Sequence, residues 1–146
     1  MKPSRFAILA LAAISTCCNP ASSPTTGPKV AASCCSMADG ALDAATFIFV
    51  TAPASGTRVT SGFTVNGCSR TFESNINFIL KARDGTVLAS GHATGGGVDG
   101  SGPLSFTVTY KVTERQIGHL EVFAEDASGG EGFPPPRNVI PLVLQP

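Results

Sequence analysis

Leu104-Ser105-Phe106-Thr107-Val108-Thr109-Tyr110 sets an apolar or aromatic side chain at every second position, with a hydroxyl residue between each pair. A period of two marks an extended strand with one face in a core and the other toward water. The pattern recurs on both sides. Phe63 and Val65 alternate with Thr64 and Asn66 over residues 62–68. Ile76, Phe78, Leu80 and Ala82 alternate with Asn75, Asn77, Lys81 and Arg83 over residues 75–83, where only Ile79 breaks the polar side. Leu120, Val122 and Ala124 form the expected core face of a strand over 119–126. Residues 46–52 make a dense apolar strand, and 86–94 a return strand. Pro141 makes the strand over 138–144 an edge or bulged one, because proline cannot donate to a ladder.

Turn chemistry separates these runs. Pro53-Ala54-Ser55-Gly56 is a turn. Asp84-Gly85 predicts a two-residue type I′ hairpin, since both residue types tolerate positive φ. Residues 95–102, with Gly95-Gly96-Gly97, read as a flexible glycine-rich loop. About seven short strands within about 100 residues predict an all-β fold, an immunoglobulin-like antiparallel β-sandwich over residues 46–146. Trp is absent, and no cysteine on a later strand can face Cys68, so apolar packing is expected to hold the two sheets together.

The N-terminus has a different composition. Lys2 and Arg5 precede the apolar run 6–14, followed by Ser15, Thr16 and Cys17. A basic start, a short apolar stretch and small residues predict a signal peptide over 1–17. The run is shorter than the roughly 20 apolar residues a membrane-spanning helix requires. Ile14-Ser15-Thr16-Cys17 resembles a bacterial lipobox, with Thr16 where Gly, Ala or Ser is usual. The expected lipidation site is Cys17, which would hold the protein to a membrane through its acyl chains. Residues 18–45, rich in Pro, Ser, Thr, Ala and Gly, predict a disordered, flexible linker.

Five cysteines, Cys17, Cys18, Cys34, Cys35 and Cys68, are compatible with disulfides in an exported protein. Cys34 or Cys35 could pair with Cys18 or Cys68, and spacing alone does not choose. Adjacent cysteine doublets do not match zinc spacing, and His92 and His119 lie far along the chain. No metal or cofactor is expected. Asp84, Asp99 and Asp126 form no Asp-x-Asp-x-Asp run of the kind calcium favours. No nucleophile elbow or phosphate loop is present, so no catalytic residue is expected. Ten Lys and Arg balance ten Asp and Glu. That balance argues against nucleic acid, whose binding needs clustered positive charge, and against a strong pull to anionic lipid.

The stretch Pro53-x-x-Gly56-x-x-Val59, then Val65-x-Gly67 and Phe72-Glu73, resembles the immunoglobulin-like domain of bacterial spore germination proteins. Asp84-Gly85-Thr86-Val87-Leu88, Gly118-x-Leu120-Glu121-Val122-Phe123 and Val139-Ile140-Pro141-Leu142 keep the same order, so the resemblance covers about residues 46–144. It implies a non-catalytic domain outside the cytoplasm. The chain departs from the family after Phe123, at Glu125-Asp126-Ala127-Ser128-Gly129-Gly130.

The candidate partner surface is Glu73 together with Glu121, Phe123 and Glu125, three residues of one strand face. The plainer reading of Glu73 is a carboxylate that caps nearby backbone amides or pairs with Arg58 or Arg70. The expected role is an interaction or structural module of the cell envelope, facing an envelope protein or cell-wall glycan. A secreted carbohydrate-binding module is the alternative, weakened by a single Tyr and no Trp for sugar stacking. A calcium-dependent adhesion domain is a third.

Overall fold

The computed structural model describes residues 35, 40, 42, 44–126 and 128–146. The expected leader, Cys17, Cys18 and Cys34 lie outside the described residues. The strands are β1 (Phe47–Ala52), β2 (Arg58–Val59), β3 (Phe63–Arg70), β4 (Asn75–Lys81), β5 (Val87–Thr94), β6 (Gly102–Val108), β7 (Gln116–Phe123) and β8 (Arg137–Leu144). All seven expected strands are present; β2, two residues long, adds a short parallel pairing to β8. One sheet has the order β1-β3-β6 and the other β2-β8-β7-β4-β5, stacked as a sandwich.

The alternation built the core. Val65, Ile76, Leu80, Leu104, Leu120, Val122, Leu142 and Leu144 are buried between the sheets. Each such side chain contributes roughly 1.5–3 kcal/mol by leaving water. Phe78 of β4 and Phe106 of β6 stack across the two sheets, with ring centroids 4.6 Å apart. Gly91 of β5, opposite Phe78 in the ladder, leaves room for that ring.

β8 is neither the edge strand nor the bulged strand that Pro141 predicted: it lies between β2 and β7, with an unbroken register to β7. The Pro141 carbonyl accepts from Gly56 N at 2.8 Å, and Val143 N donates to Thr57 O at 2.9 Å. The main chain at these positions therefore faces the sheet edge, while alternate residues bond β7. The missing N–H falls where no ladder donor is needed. Tyr110, the sole tyrosine, closes the same end. Its buried hydroxyl donates to Val59 O at 2.7 Å and accepts from Gln145 N at 3.1 Å, tying the chain after β6 to β2 and the end of β8.

Three further expectations need correction. The β4–β5 hairpin is not type I′. Gly85 has φ 89°, but Asp84 is not in the positive-φ region. Gly85 N donates to Ala82 O and Ala82 N to Thr86 O, so the loop is Arg83-Asp84-Gly85 with a left-handed glycine. That is the three-residue hairpin, in which only the last loop residue must adopt positive φ. Asp84 instead accepts Thr86 N at 2.9 Å, which holds its carboxyl below its ordinary value.

The second correction concerns Gly95-Gly96-Gly97, which is pinned in place. Gly96 N donates to the buried Ser69 hydroxyl at 3.1 Å, Thr71 N to Gly96 O at 3.0 Å and Gly95 N to Ser74 O at 3.0 Å. A Cβ on Gly96 would collide with Ser69 O and Gly102 N. These glycines allow close backbone approach; they are not there for looseness.

The third lies before β1. Cys35 and Cys68 form a disulfide. Cys68 points away from the core, on the outer face of the three-stranded sheet, directly across from Phe49. Cys35, Leu42, Phe47 and Cys68 make a second small apolar cluster there. The stretch expected as a free tether is thus fastened to the sandwich at Cys35. The disulfide does not cross between the sheets, so apolar packing still joins them.

Candidate partner surface

The structure separates the four expected surface residues into two places. Glu121 and Phe123 lie on the outer face of the five-stranded sheet. Glu121 accepts Lys81 Nζ at 2.7 Å and Arg137 Nη1 at 2.6 Å. The Lys81 hydrogen bond holds the Glu121 carboxyl below its ordinary range, helped by the Lys81 and Arg137 charges and opposed by burial. Arg137 also lies over the Phe123 ring, 4.7 Å from its centroid. Strand register makes this cluster: Phe123 is opposite Arg137, and Lys81 lies across from His119, two residues from Glu121. These groups satisfy one another and hold three strands in register.

Glu125 falls past the end of β7, beside Glu73. Ala124 N donates to Pro136 O at 3.1 Å, which carries the β7–β8 pairing one residue past the strands and brings Glu125 to that end of the sandwich. Glu73, Glu125, Asp126, Asn75 and Phe72 line a shallow cleft of about 130 Å³. An adjoining cleft of about 270 Å³ shares Phe72, Glu125 and Asp126 and adds Phe133, Pro135 and Pro136. Phe72 is 60% exposed and Phe133 is 99% exposed. Asp126 accepts Ser128 N at 2.9 Å and the Ser128 hydroxyl at 2.6 Å, and these bonds lower its pKa.

Glu73 and Ser74 carry positive φ, 55° and 60°. Non-glycine residues pay about 1–2 kcal/mol each for this conformation. The glycine platform imposes it: Ser74 O accepts Gly95 N, and a Cβ on Gly97 would strike the Ser74 hydroxyl. The turn swings Glu73 out to solvent beside Phe72. Glu73 forms no ion pair among the described residues, and Arg58 stands at the opposite end of the sandwich. Sequence reading named Glu73 and Glu125 as candidates and left out Phe72 and Phe133, their exposed neighbours. The signal for Phe133 was present: a phenylalanine between Gly132 and three prolines has no strand in which to be buried.

Among the described residues, no three His, Cys, Asp or Glu side chains converge as metal ligands would. Asp84 and Asp126 are at opposite ends of the sandwich, each engaged in its own loop.

No curated protein matches the chain in sequence. Among solved structures, it is similar to the crystal structure of CopC from Methylosinus trichosporium OB3b. That likeness covers 70% of this chain and 95% of the other, with 12% identity and a TM-score of 0.44. The model of the immunoglobulin-like domain of bacterial spore germination matches residues 47–131. That span takes in β1 to β7 and the strained Glu73 turn, and the chain belongs to this family.

Proposed function

We propose that this chain is a non-catalytic interaction module of the cell envelope, anchored by a lipid on Cys17 and presenting its immunoglobulin-like domain to an envelope protein or cell-wall partner. The observation that carries this reading is the Glu73 end of the domain. There a strained turn and a proline-rich loop hold Phe72 and Phe133 in water among Glu73, Glu125 and Asp126. Exposed aromatics beside acids that form no ion pair among the described residues suit recognition, and the one hydroxyl–carboxylate contact there, Ser128 on Asp126, closes a local loop bond. The apolar run behind Lys2 and Arg5 supports export, and membership of an immunoglobulin-like family supports a role without chemistry.

Intact-protein mass spectrometry on membrane and soluble fractions of the native host tests the anchor. The expected result is a membrane-bound chain beginning at Cys17 with a diacyl or triacyl mass. An unmodified soluble chain would overturn lipidation and leave a periplasmic or secreted module.

A further inference from the structure

The end of the sandwich opposite Glu73 carries a groove of about 360 Å³ lined by Arg58, Arg83, Arg115, Gln116, Ile117 and Val143. The arginines come from three places: β2, the β4–β5 hairpin and the approach to β7. The ladders bring them together. Arg58 lies across from Val143, and Val143 across from Ile117. Arg83 N donates to Gln116 Oε1, which sets the hairpin beside the start of β7. All three arginines are exposed, and none is ion-paired among the described residues. The nearest acids in sequence are Asp84 and Glu114. Neither lines the groove, and Asp84 is turned to the Thr86 amide.

The balanced total charge therefore hides a local excess of acids at one end and of arginines at the other. Glu73, Glu125, Asp126 and Glu131 gather at one end, where Arg70 and Arg137 also stand, and Arg58, Arg83 and Arg115 at the other, beside Asp84 and Glu114. The seven residues of β4 that separate them span about 24 Å. This exceeds the Debye length of about 8 Å at physiological salt, so neither end neutralises the other.

We infer that the arginine groove is a binding site for a phosphate-bearing polyanion. Three guanidinium forks around one groove suit an anion with several oxygens and more than one charge. The groove is also remote from the point where the described chain enters the domain. The described chain enters the domain at Cys35, whose carbonyl accepts the Ser101 hydroxyl at 2.6 Å. Ser101 adjoins Gly102, paired with Ser69, at the Glu73 end. The groove is at the far end. This inference stands on the groove's own geometry, so failure of the lipid-anchor reading would leave its binding test intact.

The test is a backbone-amide NMR titration of the full chain with sodium tripolyphosphate, alongside co-sedimentation with phosphatidylglycerol vesicles. Both are run on the wild type, on R58Q/R83Q/R115Q and on R115Q alone. Saturable shifts at Arg83, Arg115, Gln116 and Ile117 are expected, with affinity falling at least about tenfold in the triple variant and by an intermediate amount in R115Q. R70Q, which removes a positive charge at the other end, should leave the affinity within about twofold. No saturable shift, or an equal one in the triple variant, would overturn the site. Arginine-dependent vesicle binding without tripolyphosphate binding would overturn the ligand in favour of a membrane surface. If the triple variant unfolds, R115Q and R70Q still decide the outcome.

Discussion

At the residue scale, three positions carry separable energies. Gly96 lies where two backbone segments meet, so G96A should lower stability by about 1–3 kcal/mol through overpacking, read as a shift in the denaturant midpoint. Glu73 should behave in the opposite way. E73G relieves a left-handed glutamate and should stabilise the fold by about 1 kcal/mol, while weakening any partner that uses the carboxylate. A loss of stability in E73G would show that the carboxylate supports the fold. Glu121 links to pH. Its pKa is lowered from the ordinary 4.5 in the folded state, so its contribution is fully present above that value and is lost as pH falls through the folded pKa. E121Q should therefore cost about 1–2 kcal/mol near neutrality and almost nothing at strongly acid pH, measured by urea unfolding at both.

At the element scale, four of the seven main strands were readable from their own period of two, β1 from a dense apolar run and β5 as the return from the Asp84-Gly85 turn. Position within a sheet was only partly readable. Pro141 predicted an edge or bulged strand, yet β8 lies between β2 and β7 in unbroken register, because the proline falls before the two residues that pair with β2 and its missing N–H points to that side. The two residues of β2 carry no period at all, and they exist because β8 and the Tyr110 hydroxyl capture them. Y110F removes that hydroxyl and should cost about 1–2 kcal/mol, with faster amide exchange at Gln145, whose N–H it accepts. The Asp84-Gly85 turn was correctly placed and wrongly typed. Two- and three-residue loops share those residues, and the choice depends on where the flanking strands meet.

At the scale of the whole molecule, the folded unit reaches back to Cys35. The Cys35–Cys68 bond closes a loop with a sequence separation of 33, worth about 3–4 kcal/mol on a chain-entropy account. It also covers Phe47 on the outer face of the three-stranded sheet. A fragment of residues 35–146 should therefore melt well above one of residues 46–146, and reductant should remove most of the difference. Equal melting temperatures would mean that the segment before β1 adds nothing to stability. The charge balance shows the same dependence on scale. A formal sum of zero argues correctly that the chain is not uniformly basic, yet it is silent about the arginine end and the acidic end.

What the sequence determined by itself was local. Alternation, turn residues and short spacing specified an all-β sandwich and most of its core, because strand period and backbone sterics act within a few residues. Glu73 and Glu125 were legible as exposed acids for the same reason. Tertiary structure alone decided that Phe72 and Glu73 meet Glu125, that Cys35 bonds Cys68, that the glycine triplet is packed, and that Arg58, Arg83 and Arg115 share a groove. Each of these joins residues tens of positions apart through strand order and register. Those are set by the summed burial of both sheet faces, a property no single segment contains.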